Sequence, residues 1–312
     1  MAGTGRFTVA ALGVSAARVL AVMQTKGVGS GVVGQVFETS FTVEFAGGGL
    51  VSVGAAGMDN GPLNVVCRER VASGWRSHGV AVGQAVVIGS GSLELHGGPA
   101  FDWAKAERWK APPWPVAWDM AQLRAGLAAL ATIASNCAPV EGLARVAFPG
   151  CLPAGLAGAV LRQALLKTGT LGDWLEASLD RCEPPDARLV RAARGAVIGL
   201  LGLGPGLTPS GDDLLAGMLI GLHAAGEAAV AAGLATFVRD APDDATSPFS
   251  RAHLAAAADG LPSAAMHAAV AALLEGDIAA LPAAVDRLDG IGHTSGWDML
   301  AGAVIGLRAV AG

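Results

Sequence analysis

The stretch Gly204–Gly217, GPGLTPSGDDLLAG, places a glycine-rich turn, small hydroxyls and two adjacent carboxylates at the start of an apolar helix. A glycine turn leading into a helix N-terminus presents free amides and the positive end of the helix dipole, an arrangement suited to holding an anion. A shift of 85 positions lays Ser210-Gly211-Asp212-Asp213-Leu214-Leu215-Ala216-Gly217 onto Ser295-Gly296-Trp297-Asp298-Met299-Leu300-Ala301-Gly302, and Ile220-Gly221-Leu222 onto Ile305-Gly306-Leu307. The chain starts the same helix twice.

Capping accounts for part of this pattern. Ser210 with Asp213, and Ser295 with Asp298, each fit a Ser-x-x-Asp capping box, in which hydroxyl and carboxylate satisfy first-turn amides and the negative charge meets the helix dipole. Capping does not call for Gly211 and Gly296, because Gly costs up to about 1 kcal/mol against Ala inside a helix. Gly lets another group approach the backbone. Nor does capping call for Asp212, whose counterpart is Trp297. Asp212 is therefore the candidate for chemistry, and Asp213 and Asp298 are candidates for structure. Gly217, Gly221, Gly302 and Gly306 recur at four-residue spacing, a small-residue stripe that lets two helices pack closely.

GLGPGLTPSGDD (202–213), followed some eighty residues later by GHTSGWDMLAG (292–302), resembles the AllH-type family. That family is named for a subunit of oxamate carbamoyltransferase in anaerobic allantoin breakdown, a branch of purine catabolism. The resemblance extends to Asp59-Asn60-Gly61-Pro62 and to the Thr246–His253 segment, and so over most of the chain. It implies carbamoyl transfer between phosphate and oxamate, with carbamoyl phosphate as the anionic partner. It also implies two further subunits.

At 312 residues the chain is long enough for one large domain or two. Its 52% hydrophobic and 15% charged residues raise the question of a membrane, but the uncharged run 195–211 is glycine-rich, holds two prolines and falls short of a clean span of about 20 apolar residues. Residues 7–20 imitate a signal peptide until Arg18 interrupts them, and they read as a strand and turn of the mature fold. Cys67, Cys137, Cys151 and Cys182 lie far apart without paired spacing, as reduced cytoplasmic thiols do. A net charge of −5 and no dense Lys/Arg cluster leave no footprint for nucleic acid.

Composition predicts an α+β protein. Segments rich in Val, Phe and Thr (35–45, 50–54, 63–67 and 80–88) separated by glycine clusters predict a β-rich sheet or barrel region over 1–100. Ala- and Leu-rich stretches broken by Pro and Gly predict a helical region over 119–312. Between them, 101–118 holds Trp103, Trp109, Trp114 and Trp118 with three prolines, a stiff, sticky linker expected to lie against both regions and wall a cleft.

Further candidates lie outside the repeat. Asn60 sits in an Asn-Gly-Pro turn, which is either a plain turn or, on the resemblance, a ligand-facing one. Arg251, one turn into a helix that starts with hydroxyls and a proline, is a fork for phosphate or carboxylate, or a surface residue. His293, ahead of Thr294 and Ser295, is placed for proton transfer or for hydrogen bonding within the turn. With only 21 Lys and Arg in the chain, a bound anion has to rely mainly on backbone amides and a metal.

The two helix starts are therefore expected to converge on one site. Its ligand-binding residues are Gly204, Gly206, Thr208, Ser210, Gly211, Thr294, Ser295 and Gly296, together with Asn60 and Arg251. Asp212 and His293 are the catalytic candidates, and Asp212 with Asp213 would hold Mg2+ against the ligand, since Mg2+ takes one or two carboxylates plus substrate oxygens. The ligand is a small phosphate-bearing or carboxylate metabolite: carbamoyl phosphate, oxamate or oxalurate on the family's chemistry. Two other classes remain open. A stand-alone Mg2+-dependent phosphotransferase would use the same turn, although no Walker or Rossmann fingerprint occurs. A non-catalytic metabolite-binding or scaffold subunit would keep the caps and glycines without needing Asp212.

Overall fold

The computed structural model of the chain describes residues 5–25, 30–46, 48–180 and 182–312. They form two compact units, Met1–Ala111 and Pro112–Gly312. The class is α+β: a strand-built unit followed by a helical one.

The first unit runs β1 (Arg6–Gly13), α1 (Val14–Thr25), β2 (Ser30–Val36), β3 (Ser40–Phe45), β4 (Gly49–Gly54), β5 (Asn64–Cys67), α2 (Gly74–Ser77), β6 (Ala85–Ile88), β7 (Ser92–Leu95), β8 (Ala100–Asp102) and β9 (Glu107–Trp109). The hydrogen-bonded order is β5-β4-β3-β2-β6-β7-β8-β1-β9, and β5 also pairs with β1, which closes eight strands into a barrel and removes their free edges. Alternation fills it: β1 buries Phe7, Val9, Ala11 and Leu12, and Phe7, Phe41, Trp75 and Phe101 meet with ring centroids 5.0–5.6 Å apart. The expected strands at 50–54 and 63–67 match β4 and β5 within a residue. The expected turn after the first strand is instead α1, whose Ala16, Leu20 and Met23 join the barrel core. Its start is capped from a distance, because the Pro62 carbonyl accepts from both Ser15 and Ala16 N–H at 2.9 Å.

Strand β9 and all but the first residue of β8 lie inside the expected linker, and the two units part between Ala111 and Pro112 within it. Trp103 is buried in the barrel core, whereas Trp114 and Trp118 pack on the helical core.

The second unit contains α3 (Met120–Cys137), a 3-10 turn (Ala144–Val146), α4 (Gly155–Leu179), α5 (Ala187–Leu200), α6 (Ser210–Ala224), α7 (Ala228–Arg239), a second 3-10 turn (Asp243–Ala245), α8 (Pro248–Ala258), α9 (Ala264–Glu275), α10 (Leu281–Asp289) and α11 (Ser295–Ala311). Helix α6 is apolar all round, and every residue in it except His223 is buried, as the centre of a helical core requires. Its main neighbour is α11. A Cβ on Gly217 would stand 1.8 Å from the Met299 carbonyl oxygen, and one on Gly302 would stand 1.8 Å from that of Leu214. Met299 is the counterpart of Leu214 in the 85-residue repeat, so the two helices cross about a local two-fold axis with backbone against backbone. Among the described residues no helix is long and apolar enough to cross a membrane.

Candidate functional site

The local two-fold axis brings the two helix starts together. Thr208 and Ser295 hydroxyl oxygens lie 3.1 Å apart, joining the turn before α6 to the start of α11. Each first-turn carboxyl also reaches across. The Ser295 hydroxyl of α11 lies beside Asp213 of α6, and the Ser210 hydroxyl of α6 beside Asp298 of α11. On its own side Asp298 accepts from the Thr294 hydroxyl at 2.8 Å, and Thr208 lies beside Asp213. The two helix starts meet, and they do so through side chains.

The symmetry fails at one place. Asp298 also accepts from the backbone N–H of Leu143 at 2.5 Å and from that of Ala144. Gly142 permits this approach, since a Cβ there would stand 2.7 Å from Asp298 Oδ1. For Asp213 no such donors stand in the equivalent position, and its Oδ2 is buried without a hydrogen-bond partner. Burial pushes Asp298 up to about 6 and Asp213 well above the usual carboxylate range, in both cases against the pull of the donating hydroxyls. Repulsion between the two carboxyls adds to the rise at Asp213.

The expected capping boxes do not form. Ser210 and Ser295 are the first helical residues, the N-cap positions are Pro209 and Thr294, and neither makes a side-chain cap. Asp213 and Asp298 therefore lie one position too far along to cap, and they face each other's helix.

Asp212 has a structural occupation. Its Oδ1 accepts from Gly202 N–H at 2.9 Å and its Oδ2 from the Thr246 hydroxyl, so it ties the turn after α5 to the approach to α8. This reverses the roles read from sequence: Asp212 holds loops together, and Asp213 has an oxygen to spare. Consecutive helical residues point about 100° apart, Asp212 has both oxygens committed, and among the described residues no group of three His, Cys, Asp or Glu is placed to hold a metal ion.

The expected free amides are also committed. Gly211 N–H donates to Leu203 O at 2.9 Å and Gly296 N–H to Ile291 O at 3.1 Å. Both glycines serve close packing, because Cβ atoms there would stand 2.0 Å from Leu200 O and 1.9 Å from Leu288 O. Gly202, Gly204 and Gly206 adopt positive φ (72°, 109° and 110°), which lets the 202–208 loop fold back over the start of α6 and deliver Thr208.

Arg251 and His293 make their contacts with other groups. Arg251 donates to the carbonyls of Pro242 and Asp243, so its fork pins the second 3-10 turn. His293 points outward and pairs with Glu141 at 2.8 Å, with side chains 86% and 66% exposed. Asn60 belongs to the barrel unit, in the turn whose Pro62 carbonyl caps α1. A recess of about 380 Å3 in the barrel unit, lined by Arg6, Glu94 and Leu95 among others, holds none of the expected residues.

Sequence reasoning missed Leu143, Ala144 and Thr246 as partners of the carboxyls. Only Gly142, closing a Pro-containing break after α3, carried a signal for the first two.

The class defined by this geometry is a β-barrel unit joined to a helical unit whose centre is a glycine-packed helix pair with a buried, hydroxyl-lined carboxyl pair. The chain belongs to the AllH family: residues 200–307 match the oxamate carbamoyltransferase subunit AllH and residues 10–108 match the AllH family N-terminal domain. No curated protein and no solved structure matches it.

Proposed function

We propose that this chain is a subunit of an oxamate carbamoyltransferase-like enzyme acting in the cytoplasm on the carbamoyl chemistry of allantoin breakdown. It would contribute the binding site for a small anionic metabolite at the paired starts of α6 and α11. The observation that carries this reading is the coincidence of the family match over 200–307 with the one cluster where both repeats present buried polar chemistry. Asp213, Ser210, Ser295, Thr208 and Thr294 are the contact residues.

Partner subunits follow from the family description and find support in the surface. Leu152, before α4, and Leu156 and Leu166 within it are 65%, 83% and 67% exposed, apolar side chains that a partner could cover. The free cysteines, three of them exposed, suit a reducing compartment.

The test is phosphorolysis of oxalurate to oxamate and carbamoyl phosphate. The pure chain is expected to bind oxamate weakly without turnover, and to support turnover once its partner subunits are added. Turnover by the chain alone at the rate of the mixture overturns the shared-site reading. A second reading, a non-catalytic scaffold, draws on the degree to which the cluster satisfies itself: Asp298 is fully bonded by the protein's own groups. It predicts full activity of the assembly when Asp213 is replaced.

A further inference from the structure

The broken symmetry of the helix pair identifies what is missing at Asp213. Both carboxyls sit in the first turn of equivalent helices, and each has one hydroxyl beside it from across the axis and one from its own side. Asp298 completes its set with two backbone N–H donors, from Leu143 and Ala144. Asp213 has nothing in that place: its Oδ2 is buried and unpartnered, in a side chain only 6% exposed. A buried acceptor without a donor costs on the order of 1–3 kcal/mol, more if charged. Protonation does not remove the cost, because a carboxylic O–H in that position would need an acceptor instead.

We propose that Asp213 is the receptor for the N–H of a bound primary carboxamide, the ligand's amide filling the place that the Leu143 and Ala144 amides fill at Asp298. This deepens the functional reading above and rests on it. Oxamate, oxalurate and carbamoyl phosphate differ in their acidic ends but share an amino group on a carbonyl carbon, so an acceptor aimed at that group serves every species on the reaction path. Thr208, carried on the loop of Gly202, Gly204 and Gly206, lies against both Asp213 and Ser295 and so stands beside the same carboxyl.

The test compares oxamate with pyruvate, which has the same charge and shape but a methyl group where oxamate has its amide nitrogen. Binding is measured by calorimetry on the full chain, alone and assembled with its partners, for wild type and Asp213→Asn. A site built around a donor-acceptor pair rejects an analogue lacking the donor strongly, so wild type is expected to prefer oxamate at least tenfold. In Asp213→Asn, the Ser295 and Thr208 hydroxyls hold the remaining oxygen and the new amide nitrogen takes the Oδ2 position against the ligand's N–H. The preference is then expected to fall to about onefold or invert. Equal wild-type affinities overturn the proposal without recourse to any variant, as they would if ordered water alone fills the gap. A tenfold preference that survives in Asp213→Asn also overturns it, while leaving the chain a substrate-binding subunit. Failure of both ligands to bind wild type, alone or assembled, removes the functional reading together with this inference.

Discussion

The starts of α6 and α11 have nearly the same sequence and opposite states of completion. At α11 the carboxyl is wholly buried and surrounded by two hydroxyls and two amides. At α6 the same carboxyl, in the same position of an equivalent helix, keeps an oxygen without a donor. A duplicated element whose copies differ in this way separates two demands on one motif: one copy is finished by the fold, and the other is left for something outside it. Asp213 and Asp298 are therefore expected to behave differently when altered, although their sequence contexts are alike.

The largest effect tests the symmetry itself. Gly217→Ala and Gly302→Ala each force a Cβ against a carbonyl oxygen 1.8 Å away, in a contact of backbone on backbone that no side-chain rotation relieves. Each is expected to lose about 3 kcal/mol or more in urea unfolding, at the upper end for overpacked cores. Because one helix displacement accommodates both, the double variant should lose clearly less than the sum. Additive losses would mean that the two glycines do not share a contact.

Next in size is the contrast between the carboxyls. Asp298→Asn sets an amide nitrogen among groups that donate and is expected to cost about 2–3 kcal/mol. Asp213→Asn disturbs two hydroxyls that can reorient, and it should cost less than about 1 kcal/mol or stabilise. Asp212→Asn should fall between, since it loosens the Gly202 and Thr246 ties. Equal losses at 213 and 298 would break the comparison.

The pH profile sharpens it. Asp298 titrates at about 6 in the folded chain against 3.8 for an ordinary aspartate, so the folded state holds the extra proton between those values. Its contribution to stability is full below pH 3.8 and is lost as pH rises through about 6, and Asp213, also raised by burial, adds to the slope in the same direction. His253 of α8 acts in the opposite sense. Burial lowers it from 6.5 to about 4, so its contribution is present above 6.5 and lost as pH falls. The wild-type melting temperature should therefore rise on acidification from about pH 6.5 to about 4.5, where two carboxyls gain stability against the one histidine that loses it. Asp298→Asn should flatten that rise, and His253→Asn should steepen it. The smallest effect is at His293→Ala, an exposed pair with Glu141, for which a change within about 0.5 kcal/mol is expected.

The repeat, the α+β division and the meeting of the two helix starts were legible in the sequence, because they depend on periodicity, composition and identity of motifs. The division of roles within the motif was not. Ser-x-x-Asp reads as a cap only if Ser stands at the N-cap, and Pro209 and Thr294 hold that place, which moves the whole pattern one residue into the helix. The same kind of signal served well where no such shift occurs: Asp119 and Gln122 form a true capping box at α3, and Ser247 and Ser263 cap α8 and α9. What completes Asp298 comes from 155 residues away, through backbone N–H groups that any amino acid other than proline would supply at 143 and 144. No local reading finds donors of that kind, and their absence at Asp213 is equally silent.

Helix α6 is enclosed on every side, yet the helix that covers one of its faces begins 85 residues later in the chain. At synthesis rates of about 5–20 residues per second, roughly 4–17 s separate the emergence of α6 from that of α11. For that interval Gly217, Leu214 and Met218 present a bare apolar groove to the surrounding medium. The seam between α6 and α11 thus closes only after that interval, so α6 must wait for a partner that its own neighbours in the chain do not supply.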